Sequence, residues 1–181
     1  MTRASINIVL GNFAYIGTFS IQNQLRSIKV ISKIAAKESQ IDENILNERL
    51  LLAALQGCSE NIAKVASTFQ NRKVAMLVFS EVFVCDLSHA IASGAIAAEL
   101  KPALCAGIYS AISSLHAKGI IHRLVTSYAM YLSEACAPVI CDLRYAKSME
   151  GCKNFTMCGD VLVSRLASQL VHSFVASVSC K

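Results

Sequence analysis

Between Gly119 and Asp142 the chain reads GIIHRLVTSYAMYLSEACAPVICD: a strand-like apolar run, a His-Arg pair, then small and apolar residues. A histidine can move a proton and an arginine can hold an anion, so His122-Arg123 has the frame of a reactive loop. The residues after it do not supply the chemistry. Leu124 and Ala129 carry no polar side-chain group, and Thr126 carries no charge. Ser127 is no useful base near neutral pH, and Glu134 stands ten positions beyond Leu124, at the tip of a predicted hairpin. His122 itself reads as a satisfied core histidine.

Three more charged residues stand in apolar surroundings. Lys29 lies in SIKVISK, Glu48 in LNERLLLAAL and Asp142 in VICDLRY. A lysine on a strand and a glutamate on a helix can clamp an anionic ligand or simply hold the helix against the sheet, and structural ion pairs are the commoner case. Asp142 reads as a hydrogen-bonded carboxylate or a metal ligand. The eight cysteines fall irregularly at 58, 85, 105, 136, 141, 152, 158 and 180, with no CxxC pair. Cys136 with Cys141 and Cys152 with Cys158 lack histidine partners at zinc-site spacing. The thiols are therefore expected to be free and mostly buried, in a reducing intracellular compartment.

The elements that must position these groups follow from composition and pattern. The chain has 181 residues, 54% of them hydrophobic and 16% charged, enough for one sizeable core. A mean hydropathy of +0.49 calls for apolar surface to be covered. The apolar stretch 90–121 is interrupted by Glu99, Lys101, Pro102, His116 and Lys118, so no membrane span is expected. The net charge of +5 is spread along the chain, and no nucleic-acid partner is expected.

Alternation around Gly11 and Gly17 from Ile6 to Ile21 predicts two short strands, and RSIKVIS a third, in which Ile28, Val30 and Ile31 pack and Lys29 points from the opposite face. ENILNERLLLAAL places Ile45, Leu46, Leu50, Leu52 and Leu55 at helical spacing. NIAKVASTFQ and KVAMLVFSEVFV read as paired strands, the second running to about Cys85. Beyond Asp86 come a short helix in SHAIASGA and a long one in ELKPALCAGIYSAISSLHAKG, with Pro102 in its first turn and Gly119 as its cap. IIHRL, AMYL and PVIC are strand-like, a polar segment runs to Gly159, and an apolar tail follows. Sheet first and helices afterwards is an α+β pattern in two lobes.

Four segments in this order resemble the eukaryotic protein kinases, in particular the cyclic-nucleotide-dependent and related AGC kinases. SIKVISK is similar to the family's third strand, LNERLLLAAL to its regulatory helix, SSLHAKGIIHR to the end of the long helix entering the catalytic loop, and CDLRYAKSMEGCKNFTMCG to the metal-binding motif and activation segment. The resemblance covers about residues 8–160. It implies a β-rich N-lobe with one main helix over residues 1–84, and a mainly helical C-lobe over 85–181. It implies that Lys29 contacts phosphate, that Glu48 is its ion-pair partner, that Gly11 belongs to the phosphate-covering loop and that Asp142 binds magnesium. Thr156 falls at the phosphorylated threonine that Arg123 would receive, and Asp86 near an acidic position that contacts ribose.

The departures are equally specific. The family's catalytic aspartate, lysine and asparagine fall on Leu124, Thr126 and Ala129, and the glycine of its metal-binding triplet on Arg144. Of the GxGxxG pattern only Gly11 is kept, with Phe13 and Ile16 where glycines should stand. The activation-segment motifs beyond Gly159 are unrecognisable, and the C-lobe reads as truncated at Lys181. The tail from Val161 to Val178 carries more apolar residues than one helix face can bury. The expectation is a catalytically inactive domain with a structural or scaffolding role and no cofactor. Other protein subunits should cover its C-lobe, so that it is not a free monomer. The alternative is a regulatory pseudokinase that still holds ATP with magnesium through Lys29, Glu48 and Asp142.

Overall fold

The computed structural model describes residues 5–10, 14–21, 23–38 and 45–148. Gly11, Phe13, Thr156 and the apolar tail lie outside the described residues. Three strands open the fold, β1 (Ser5–Leu10), β2 (Ala14–Ile21) and β3 (Gln24–Ser32), each antiparallel to the next. The Ser32 hydroxyl accepts the Ala35 amide at 3.2 Å and so caps a short helix, α1 (Lys33–Glu38), before α2 (Ile45–Ala54). Next come β4 (Val65–Gln70) and β5 (Val74–Phe79), joined by a turn in which Asn71 Oδ1 accepts the amides of Lys73 and Val74. The resulting sheet has the order β1-β2-β3-β5-β4.

The lower layer starts at β6 (Phe83–Asp86) and α3 (Leu87–Ala92), the latter capped by Asp86, whose carboxylate accepts the His89 amide at 2.8 Å. A 3-10 turn at Ala98–Leu100 leads into α4 (Lys101–Ala117). After it come β7 (Ile120–Ile121), β8 (Met130–Ser133), β9 (Pro138–Ile140) and β10 (Lys147–Ser148). Strands β6, β8 and β9 form a second sheet, and β7 pairs with β10. The structure is an α+β fold with a sheet-rich upper part and the long α4 below. Among the described residues no helix is long and apolar enough to cross a membrane.

One core runs through both layers. Strand alternation puts Ser27, Lys29 and Ile31 on one buried face of β3, while Leu77 and Phe79 of β5, Leu52 of α2 and Leu55 just past that helix fill the space beneath the upper sheet. Helix α4 buries Leu104, Ile108, Ala111 and Leu115, a spacing of four and three residues that keeps them on one stripe against the lower sheet. Its end is set by Gly119, which takes φ 64° just past the last turn and donates its amide to His116 O at 2.9 Å. A second tie joins the layers ahead of β4. Ile140 of β9 donates its amide to Asn61 O at 2.8 Å and accepts the amide of Ala63 at 2.9 Å.

Five expectations change: Ile31 shares the buried face of Lys29, among the described cysteines only Cys141 is buried, and three more concern the elements themselves. The run KVAMLVFSEVFV is two strands: the ladder stops at Phe79, because Ser80 donates to Lys64 O and Glu81 O accepts from Ser27, and Phe83 then pairs with Ser133 in the other sheet. A lobe division between residues 84 and 85 thus falls inside β6. The short α1 is an element the sequence reading left out, although Ser32 before KIAAKE is an N-cap signal. On α2 the inward face is Glu48, Leu51 and Leu52, continued by Leu55 just past the helix, whereas Leu50 is 54% exposed. At about 100° per residue Leu50 and Leu52 cannot share a face, and a run of three leucines hides which one turns outward.

Gly107 marks the closest approach of α4 to the lower sheet. A Cβ there would lie 2.6 Å from Pro138 Cγ and 2.9 Å from Asn61 Nδ2, a side chain already committed to Pro138 O at 2.8 Å. Gly107→Val should therefore destabilise the fold by about 1–3 kcal/mol, the usual cost of overpacking. Urea unfolding followed by circular dichroism measures it; an unchanged midpoint would contradict the packing described.

Candidate functional site

The face of β3 that carries Lys29 looks into the space between the two layers. Its ammonium donates to Glu48 Oε1 and Oε2 of α2, both at 2.8 Å, and to Asp142 Oδ1 at 3.0 Å. All three side chains are buried. Three of the sequence-derived site residues are thus brought together, from a strand, a helix and the segment after β9; the fourth, Gly11, lies outside the described residues. Glu48 does more than balance Lys29. Its Oε1 also accepts the backbone amide of Leu143 at 3.1 Å, and Asn47 donates to Ala146 O at 3.2 Å, so α2 is fastened to the 142–146 segment.

A fourth charge completes the cluster. Arg144 reaches back over two residues to Asp142, with Nε 2.9 Å from both carboxylate oxygens and Nη2 2.5 Å from Oδ2. Two cations and two carboxylates therefore share one buried site. Burial alone would raise the Asp142 pKa, but the charges and hydrogen bonds of Lys29 and Arg144 prevail and hold it well below the ordinary carboxylate range. Neighbouring Cys141 is fully buried, and its thiol is pushed up by that burial and then by Asp142, so it stays protonated.

Beside this cluster an aromatic stack closes the interior. Phe79 lies 5.1 Å from Phe83 and Phe83 lies 5.5 Å from Tyr131, ring centre to ring centre. Phe83 is held by its amide, which donates to Ser27 Oγ at 2.7 Å, while Ser27 donates its own amide to Glu81 O at 3.1 Å. Ser27 is two residues from Lys29 on the same face of β3, so the stack stands directly alongside the ion cluster. Tyr131 Oη is buried with no hydrogen-bond partner among the described residues, and burial holds the phenol neutral.

The 122–129 loop stands below. His122 is buried, and its Nδ1 accepts the amide of Leu124 at 3.2 Å, which in the neutral ring leaves the proton on Nε2. Arg123 between them has φ 66°, a left-handed conformation that costs a non-glycine residue about 1–3 kcal/mol and persists only where its surroundings enforce it. The loop thus keeps a specialised backbone around residues 122–124, yet presents Leu124 from it. Asp86 serves as the cap of α3.

Residues 11–164, well over half of the chain, match the protein kinase domain family. The chain belongs to the protein kinase family. In a kinase, a strand lysine held by a helix glutamate contacts the nucleotide phosphates, and an aspartate with a catalytic-loop asparagine holds magnesium. Lys29, Glu48 and Asp142 meet here from a strand, a helix and the segment after β9, the arrangement that the sequence resemblance led one to expect. The residues present do not fit the metal. Both oxygens of Asp142 are taken by Lys29 and Arg144, and Ala129, on which the resemblance sets the asparagine, is a buried side chain with no oxygen. Among the described residues no three histidine, cysteine, aspartate or glutamate side chains converge on a metal-sized site.

Ser27, Phe83, Tyr131 and the pairing role of Arg144 escaped the sequence reading. Only Arg144 left a signal: a cation two residues from a carboxylate in an apolar segment needs a partner, and Asp142 is the nearest.

Removing the lysine should expose how much the cluster matters. Lys29→Met leaves Glu48 and Asp142 facing each other without their shared cation, and a cost of about 3–5 kcal/mol is expected for breaking a buried pair from one side. The acid limb gives an independent check. A carboxyl held below its unfolded value adds stability that is fully present above that value, near pH 4, and is lost as pH falls through the folded one. Urea midpoints measured from pH 7 to pH 3 should fall more steeply for the wild type below about pH 4 than for Asp142→Asn. Parallel curves would mean that Asp142 is not held as described.

Proposed function

We propose that this chain is a catalytically inactive member of the kinase family, of the AGC type by its motif register, with a structural or scaffolding role in a larger protein assembly. The observation that carries the proposal is Leu124. Phosphoryl transfer is catalysed almost wholly by positioned charge, and it needs a carboxylate to orient the attacking hydroxyl. The backbone around His122 and Arg123 is arranged to present a side chain at 124, and that side chain is aliphatic. The loop 122–129 contains no acid at all, and Thr126 and Ala129 replace the groups that would stabilise the phosphoryl charge and hold the second metal.

Two features support the binding half of the reading over residual catalysis. The Phe79, Phe83 and Tyr131 rings fill the interior where β5, β6 and β8 meet, and the linker donor Phe83 N, which a base could otherwise bond, is taken by Ser27. At the surface, Leu25, Leu50, Phe69, Val84, Tyr109 and Tyr128 are each more than half exposed, apolar area of the kind that partners bury. The reading as a nucleotide-binding regulatory pseudokinase draws on one observation, the intact Lys29–Glu48 pair at 2.8 Å.

Transfer of labelled phosphate from ATP with magnesium to the protein itself and to basic peptides should stay at the level of Lys29→Met, and Leu124→Asp alone should not raise it. In the native source the chain should migrate and cross-link with other polypeptides. Turnover above that control would sink the catalytic half, and migration without companions the assembly half. A dose-dependent rise in melting temperature with ATP, abolished by Lys29→Met, would favour the nucleotide-binding reading; saturation at a hundred times the dissociation constant corresponds to about 2.7 kcal/mol.

A further inference from the structure

Asp142 sits where a kinase binds a divalent cation, yet its surroundings are already charge-balanced. Lys29 and Arg144 face Glu48 and Asp142, so the four side chains sum to zero, and a doubly charged ion added among them would leave a buried excess of two. Magnesium also keeps several waters in an octahedral shell, and Asp142 is only 3% exposed. Arg144 supplies what the ion would supply by a different route. Its guanidinium is flat, always charged and forked, so two nitrogens meet the two carboxylate oxygens together, at 2.5 to 2.9 Å. Because it stands two residues away on the same segment, it is present at high local concentration without any ligand to bring it.

We propose that the guanidinium of Arg144 is a resident substitute for the divalent cation: it occupies the ligand positions of Asp142, excludes metal from them, and keeps α2, β3 and the 142–146 segment together without metal. The last part follows from connectivity. Asp142 is joined through Lys29 to Glu48, and Glu48 to the amide of Leu143, so once the Asp142 charge is satisfied every member has its counter-charge inside the chain. The inference concerns what Asp142 binds and does not depend on the scaffolding role.

Manganese binding, read from the loss of the free-ion paramagnetic resonance signal, tests it on the whole chain. The wild type should bind no ion that Asp142→Asn abolishes, and its melting temperature should be the same in magnesium and in chelator. Arg144→Gly, which removes the guanidinium, should bind manganese at least tenfold more tightly than the wild type, and the double substitution Arg144→Gly/Asp142→Asn should lose that gain. If Arg144→Gly does not fold, Arg144→Gln serves in its place, since it keeps length and loses charge. A wild-type manganese site that disappears in Asp142→Asn overturns the proposal, as does a folded Arg144 variant with no gain.

Discussion

The ammonium of Lys29 is the point on which the structure turns. It is fully buried, and a buried cation is tolerated only when paired and hydrogen-bonded on all sides. Glu48 and Asp142 meet that demand, but two carboxylates around one ammonium overshoot by a charge, and Arg144 restores the balance. Each requirement fixes an element: Glu48 must face inward, which sets the rotation of α2, and Asp142 must come within reach, which sets the path after β9. Hydrophobic burial supplies the driving force for the core around them. The ion cluster ties this rotation of α2 to this path of the 142–146 segment, since the observed geometry satisfies all four charges at once.

Much of this was legible in the sequence, for a physical reason. In a chain so poor in charge, Lys29, Glu48 and Asp142 stand out against apolar neighbours, and ionised groups there must meet partners. The α+β class followed from alternation giving way to helical spacing, and the end of α4 from Gly119, which takes the left-handed turn just past the helix. The legible part is what local pattern and residue type determine: strands β1 to β5 and helices α2 and α4.

What escaped was decided by groups far apart in sequence. Nothing in KVAMLVFSEVFV announces that the ladder stops at Phe79; the break is set by Ser27 and Lys64 claiming the backbone of the next residues. The outward turn of Leu50 depends on Glu48 being drawn to Lys29, so a charge rather than hydrophobicity chooses the face of α2. The aromatic stack joins β5, β6 and β8, and the presence of Phe79, Phe83 and Tyr131 in the sequence does not imply that their rings meet. Family membership accounts for the frame of the interior, and these particular side chains account for what fills it.

The bonds of Ile140 to Asn61 and Ala63 have a mechanical consequence. The upper sheet is attached to the lower layer by the covalent linker at 80–82 and again by this pair of backbone hydrogen bonds. Glu48 and Asn47 of α2 bond the 142–146 segment as well, so the layers are joined at several separated points, and displacing one against the other must break bonds at more than one of them.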